Sequence, residues 1–134
     1  MAREEAKNWY DGAIIDLEEA KSALLNKRLN WALFAAHQAV EKVLKAAYII
    51  LKRKRGPKTH DLTRLASVFD FLADFKPIIS ELSPYYTVAR YPNAAFERPW
   101  EAISEETAKR LVEAAEEVVR RVGVKLGFRS PRST

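Results

Sequence analysis

Residues 31–51 of the 134-residue chain read WALFAAHQAVEKVLKAAYIIL, and they give the strongest indication of its architecture. Large apolar side chains and alanines would cover most of the circumference of a helix here. Such a helix lies at the centre of its domain or in a dimer interface. The polar exceptions fall on one narrow strip: His37, Gln38, Glu41, Lys42 and Lys45. We predict a central helix from Trp31 to about Arg53, capped by Asn30 and ended by Gly56-Pro57.

Amphipathic segments at both ends of the chain are predicted to form helices that pack against the central helix. From Glu4 to Asn26, apolar residues recur at helical spacing, as Trp9, Ala13 and Leu17 illustrate. Ser104 can cap a last helix that runs to about Leu126. The buried face of this last helix is predicted to comprise Ala108, Leu111, Val112, Ala115, Val118, Val119 and Val122.

Two shorter helices are expected between these segments. One starts at Thr59 or Asp61 and runs to about Leu72, and the next, capped by Asp74, runs from Lys76 to Ala89 with a kink at Pro84. Residues 90–99 contain two prolines without helical periodicity and are expected to form an ordered loop. Strand-like alternation is absent from the sequence, so the predicted fold is all-α, an up-and-down bundle of four to five helices.

Size and composition limit the class of protein. We expect one domain at residues 1–126 and a flexible basic tail at 127–134. The first ten residues are charged and polar, no apolar run could span a membrane, and there is no cysteine. A cytoplasmic protein without a secretory signal is therefore expected. The 31% charged residues and the single glutamine are typical of a heat-adapted, thermophile source.

Metal chemistry is disfavoured by the positions of the two histidines. A di-iron bundle uses Glu-x-x-His pairs, but Phe34 and Pro57 stand three residues before His37 and His60. His37 and Glu41 have the spacing to share a metal ion, yet two further ligands are not evident. We expect neither a metal nor a cofactor.

The polar strip has an ordinary structural interpretation. Glu41 precedes Lys45 by four residues, the favourable order for an ion pair on a helix. His37 can hydrogen-bond Glu41 one turn away. Spacing alone favours a solvated face with a structural histidine.

Two other places can carry chemistry. His60-Asp61 follows a glycine–proline turn, where it either caps a helix or provides a histidine that exchanges protons near neutral pH. Basic residues precede this site: Lys52, Arg53, Lys54, Arg55 and Lys58. Such a cluster, in a chain with a net charge of +5, permits a nucleic-acid or phosphate partner. In residues 85–93, YYTVARYPN, three tyrosines and Arg90 either stack a base and bind a phosphate or close the end of the bundle.

Four segments in register resemble the HEPN family (higher eukaryote and prokaryote nucleotide-binding domains). They are FAAHQAVEKVLKA at 34–46, Trp9…Ala13…Asp16-Leu17…Ala20, His60-Asp61-Leu62…Leu65, and Tyr86…Arg90-Tyr91-Pro92-Asn93. The resemblance covers residues 9–122 and implies a HEPN-like bundle that is commonly a homodimer. It also implies a partner, a minimal nucleotidyltransferase in a toxin–antitoxin-like two-component system, and nucleotide or RNA binding.

The resemblance assigns a groove to the chain. Glu41 and Lys45 would line it, and Tyr86, Arg90, Tyr91 and Asn93 would form its rim. Some family members are metal-independent ribonucleases with an arginine followed, after four to six residues, by a histidine. Here Arg90 has no histidine within that reach.

Three functions therefore stay open from sequence. The first is a nucleotide- or RNA-binding partner protein. The second is a ribonuclease toxin that uses His60 with Arg90, if the fold brings them together. The third is a dimeric scaffold whose basic turn only keeps it soluble, and whether the chain is an enzyme is left undecided.

Overall fold

The computed structural model describes residues 1–90 and 99–128, excluding the side chains of Pro99 and Trp100, and this part of the chain forms a helical bundle. The α-helices are α1 (Ala2–Leu25), α2 (Leu29–Ala47), α3 (Leu62–Ala66), α4 (Lys76–Leu82), α5 (Tyr85–Val88), α6 (Pro99–Ala102) and α7 (Glu105–Leu126). Three of them, α1, α2 and α7, are long and pack against one another. The short helices α3, α4 and α5 also pack against α2.

Helix α2 is central, as its apolar circumference predicts. It contacts α1, α7, α3 and α5, and Leu33, Val40 and Leu44 are fully buried. Burial of each such side chain stabilises the fold by about 2 kcal/mol. The helices in the described ranges are all too short or too polar to cross a membrane.

The ends of α2 differ from the prediction. The helix begins at Leu29, so Asn30 is not its cap; instead the Asn30 side chain donates a hydrogen bond to the carbonyl of Ala89 at 3.2 Å. At the other end, α2 continues as a π-helical turn over Tyr48–Lys52, which Arg53 closes with a φ of 54°. The predicted single helix to Arg53 is thus two helical forms in series.

The predicted third and fourth helices are each interrupted. Asp61 caps α3 by accepting from the Arg64 amide at 3.3 Å, but α3 ends at Ala66 and a 3₁₀ turn follows over Asp70–Phe75. The predicted cap Asp74 instead binds Arg121 at 2.6 Å. Pro84, which cannot donate a backbone hydrogen bond, separates α4 from α5.

Helix α7 agrees with the prediction at its start, on its buried face and at its end. Ser104 accepts a hydrogen bond from the Thr107 amide at 3.0 Å, and every predicted core position is buried. Gly127 caps the helix with a φ of 77°, and Phe128 is buried 5.4 Å from the Tyr10 ring, measured between ring centres. Gly127 and Phe128 both belong to the predicted tail at 127–134, of which residues 129–134 lie outside the described ones.

Candidate functional site

The carboxylate of Glu41 lies inside the domain, in the second half of α2, and the residue is 5% exposed. Its Oε1 accepts a hydrogen bond from Nδ1 of His60 at 2.8 Å, and its Oε2 accepts one from the Lys45 ammonium group at 3.0 Å. The predicted ion pair with Lys45 is confirmed. The interpretation of this strip as a solvated face is wrong for Glu41, because the chain at His60 covers it.

His37 lies one turn before Glu41 and is fully buried. Its Nε2 lies 2.9 Å from the backbone carbonyl of His60 and donates to it. Burial lowers the pKa of His37, although the nearby Glu41 carboxylate and the hydrogen bond to His60 act in the opposite direction. The lowered pKa favours the neutral ring at pH 7, and the hydrogen bond from Nε2 holds the backbone of His60 in place.

His60 combines a fixed backbone with an accessible ring. The side chain is 49% exposed, in contrast to that of Glu41 at 6%. Its ring lies parallel to that of Tyr86, with 3.7 Å between the ring centres and 11° between the planes. Since Glu41 occupies Nδ1, Nε2 is the ring atom through which His60 can exchange a proton with a ligand.

Arg90 follows the end of α5 and is held by contacts with Tyr86 and Phe34. Its Nε donates to the backbone carbonyl of Tyr86 at 2.8 Å. The guanidinium carbon lies 4.4 Å from the centre of the Tyr86 ring and 4.8 Å from that of Phe34. Asn30 fixes the neighbouring carbonyl of Ala89, so this corner is tied to the first turn of α2.

An aromatic row connects this corner to the surface. The centres of Trp31 and Phe34 are 6.0 Å apart, and those of Phe34 and Tyr86 are 5.9 Å apart. Trp31, at the outer end of the row, is 48% exposed. The row therefore leaves an indole at the surface beside the polar site.

The structure brings five candidate residues together, which we call the Glu41 cluster: Glu41, Lys45, His60, Tyr86 and Arg90. Two other predicted site residues, Tyr91 and Asn93, lie outside the described residues. The cluster supplies a carboxylate, a histidine, two cations and an aromatic ring. Groups of these kinds recognise bases and phosphates.

Sequence reasoning misses two residues that support the cluster, Asn30 and Phe34. The sequence does contain a pattern that could have revealed them. Positions 30, 34, 37, 41 and 45 are spaced by three or four residues and therefore share one face of α2. Local rules assign Asn30 to a cap and place Phe34 only among the apolar residues of the helix.

The architecture and the sequence place the chain in a known family. The model of the family described as the HEPN domain matches residues 6–125. The chain belongs to the HEPN family. Among solved structures, TT1696 from Thermus thermophilus is similar at 27% identity and a TM-score of 0.81, covering 93% of this chain and 99% of that one. ST0689, an archaeal HEPN homologue, is 25% identical with a TM-score of 0.77, covering 91% and 98% of the two chains. A comparison with curated proteins gave no significant match.

Proposed function

We propose that this HEPN domain is the homodimeric partner of a minimal nucleotidyltransferase in a toxin–antitoxin-like two-component system, and that it binds nucleotide or RNA at the Glu41 cluster. The observation that carries the proposal is the stacking of His60 on Tyr86, with the Arg90 guanidinium over the same tyrosine. A base can extend such a stack, and a phosphate can bind the guanidinium. Tyr91 and Asn93 complete the proposed rim.

The fixed geometry of the cluster supports a binding role. Buried Glu41 holds His60 by one nitrogen, and His37 holds the backbone of the same residue. Because these groups are already positioned, a ligand would lose little free energy in ordering them. A solubilising scaffold has no need for a carboxylate buried among two histidines and a lysine.

The surface next to the cluster supports the proposed homodimer. Trp31 is half exposed at the end of the aromatic row, and large aromatic residues are enriched in protein interfaces. A second copy packed on Trp31 would place the two Glu41 clusters near one interface. The nucleotidyltransferase partner is a proposal that rests on membership of the family.

Two measurements test this function. Calorimetric titration with nucleoside triphosphates and with short RNA is expected to show binding that Tyr86→Ala and Arg90→Ala weaken. Copurification of the tagged protein from its source cells is expected to yield a stable complex with a minimal nucleotidyltransferase. Absence of both kinds of binding would contradict the proposal.

A ribonuclease is the second candidate, and the hydrogen bond between Glu41 and His60 favours it. A carboxylate on Nδ1 fixes the tautomer of the ring and leaves Nε2 with its lone pair, so Nε2 can act as a general base. Arg90, which lies over the same Tyr86 ring as His60, would stabilise charge on the phosphate. This mechanism replaces the missing histidine after Arg90 by His60 and needs no metal.

The ribonuclease is tested by expression in cells. Growth arrest that His60→Ala and Arg90→Ala each abolish is expected if the chain cleaves RNA, and cleavage should persist in a chelator. A protein that leaves growth and RNA unaffected would contradict this candidate, while the binding function would stand.

A further inference from the structure

A cavity of about 280 Å³ lies next to the Glu41 cluster, between α1, α2 and the turn that follows α2. We call it the Trp9 cavity, and its lining consists of Glu5, Trp9, Lys45, Ile49, Arg55, Gly56, Pro57 and Lys58. Lys45 belongs to both places. Its ammonium nitrogen binds Glu41 at 3.0 Å and lies 5.3 Å from the centre of the Trp9 ring.

The inner surface of the Trp9 cavity is apolar and flat. The Trp9 indole is partly buried and packs against the hydrophobic core, so its orientation is fixed. Ile49 and Pro57 provide the other apolar contacts. A planar aromatic ring can stack on an indole held in this way.

The rim of the cavity is cationic. Among the described lining residues, Lys45, Arg55 and Lys58 are cations and Glu5 is an anion. Glu5 partly neutralises Arg55 at 3.2 Å, and Glu41 partly neutralises Lys45 at 3.0 Å, so a positive excess remains at Lys58. The exposed basic residues 52–54 lie just before this turn and add to the positive potential. An apolar floor with a cationic rim is complementary to an aromatic group that carries a negative charge.

The turn that bears two of these cations is rigidly seated. A Cβ atom added to Gly56 would lie 2.7 Å from a ring carbon of Tyr48, so the backbone at Gly56 rests directly on that ring. Tyr48 is itself buried, 5.1 Å from Phe69 between ring centres. The backbone positions from which the exposed side chains of Arg55 and Lys58 extend are therefore set before any ligand arrives.

We infer that the Trp9 cavity is a binding subsite for one nucleotide, with the base stacked on Trp9 and the phosphate held by Arg55 and Lys58. The inference rests on the proposed function and deepens it, because it adds a second subsite joined to the Glu41 cluster through Lys45. The same chemistry is offered by a free mononucleotide and by the terminal nucleotide of an RNA strand.

The test combines a local probe with matched variants. In the full-length protein labelled with ¹⁵N in tryptophan, titration with a nucleoside 5′-monophosphate is expected to shift the indole signal of Trp9 in a saturable manner. Inorganic phosphate alone should shift it only at much higher concentration, since it lacks the base. An RNA oligonucleotide with a terminal phosphate distinguishes the two sources, and a shift with either ligand supports the subsite.

Calorimetry of the same mononucleotide then assigns the contacts. Trp9→Ala is expected to weaken binding to the cavity about tenfold. Lys58→Gln, at an exposed residue that cannot disturb the core, should weaken it several-fold and reduce its dependence on salt. Lys109→Gln, also exposed but on α7, is the matched control and should leave binding unchanged.

The outcomes separate this inference from the proposed function. One outcome is that nucleotide binds, that Tyr86→Ala abolishes this binding, and that the indole signal of Trp9 does not shift. That outcome contradicts the Trp9 subsite and leaves the Glu41 cluster supported. If the Trp9 signal shifts and Tyr86→Ala has no effect on any binding, the subsite stands and the proposed role of the cluster fails. Binding that is indifferent to both Trp9→Ala and Lys58→Gln overturns the inference.

Discussion

Nδ1 of His60 lies 2.8 Å from Oε1 of Glu41, although the two residues are 19 positions apart in the chain. The carboxylate is buried and the imidazole is half exposed, so the contact joins the interior of the bundle to its surface. His37 reinforces it by holding the backbone of His60. These contacts contribute to the free energy of unfolding, and single substitutions can remove them one at a time.

Glu41→Ala is expected to lower the free energy of unfolding by about 2 kcal/mol, since it removes charge-assisted hydrogen bonds to His60 and Lys45. Chemical denaturation measures the loss. The control is Glu81→Gln, which breaks the exposed pair with Arg110 and should cost much less. Equal losses in the two variants would show that burial does not strengthen the Glu41 contacts.

His37 should make stability depend on pH. Its folded pKa is lowered from the ordinary value of 6.5, chiefly by burial, so the unfolded chain takes up a proton below pH 6.5 that the folded chain does not. The free energy of unfolding is therefore expected to fall as the pH is lowered from 7 through 6.5. The contribution of one such group cannot exceed about 1.4 kcal/mol per pH unit.

The measurement is denaturation at several pH values between 7 and 5.5, for the wild type and for His37→Gln. Glutamine can still donate to the His60 carbonyl but does not titrate. The variant should show a shallower slope whatever its absolute stability. If stability depended on pH equally in the two proteins, His37 would bind a proton equally well in the folded and the unfolded chain.

Asn30→Ala is expected to loosen the corner that holds Arg90. The substitution removes the hydrogen bond to the Ala89 carbonyl and leaves a buried acceptor without this donor, at a cost of about 1 kcal/mol. Amide hydrogen exchange in α5 should become faster. Asn26→Ala, which removes an exposed side-chain bond to the Ser22 carbonyl, is the control and should not change exchange in α5.

Gly56→Ala and Gly12→Ala should have opposite effects. A methyl group at Gly56 would meet the buried Tyr48 ring at 2.7 Å, so the turn must shift, at a cost of about 1–3 kcal/mol. At Gly12, inside α1, the nearest atom belongs to the flexible side chain of Lys42 at 3.3 Å. Alanine there should gain up to about 1 kcal/mol from helix propensity. Thermal unfolding of both variants checks the signs, and a stabilising Gly56→Ala would refute the tight seating of the turn.

Helix periodicity was sufficient to predict the all-α fold, the central position of α2 and the buried face of α7, because each depends on local spacing of apolar residues. Helix starts were predicted where the capping side chain bonds its own first turn. Ser104 does so, and so does Asp61, one of the two starts that the sequence left open. The prediction was wrong where a distant partner takes the side chain. Asn30 binds Ala89 and Asp74 binds Arg121, and no local rule contains either contact.

The candidate site was harder to predict for the same reason. Spacing favoured a solvated strip at Glu41, because the residue that contacts its carboxylate, His60, is distant in the chain and is itself stacked on Tyr86. The family resemblance assigned Glu41, Lys45, Tyr86 and Arg90 to one groove, but it did not include the hydrogen bond between Glu41 and His60. That bond depends on the path of the turn after α2, which no periodic pattern encodes.

Ligand binding at the Glu41 cluster can be tested with the two histidines of the chain as probes. In ¹⁵N-histidine-labelled protein, titration with a short RNA or a nucleoside triphosphate is expected to shift the imidazole signals of His60 in a saturable manner, with a much smaller effect on buried His37. Tyr86→Ala should abolish the shift. Ligand that binds by calorimetry while the His60 signals stay unchanged would contradict binding at the Glu41 cluster.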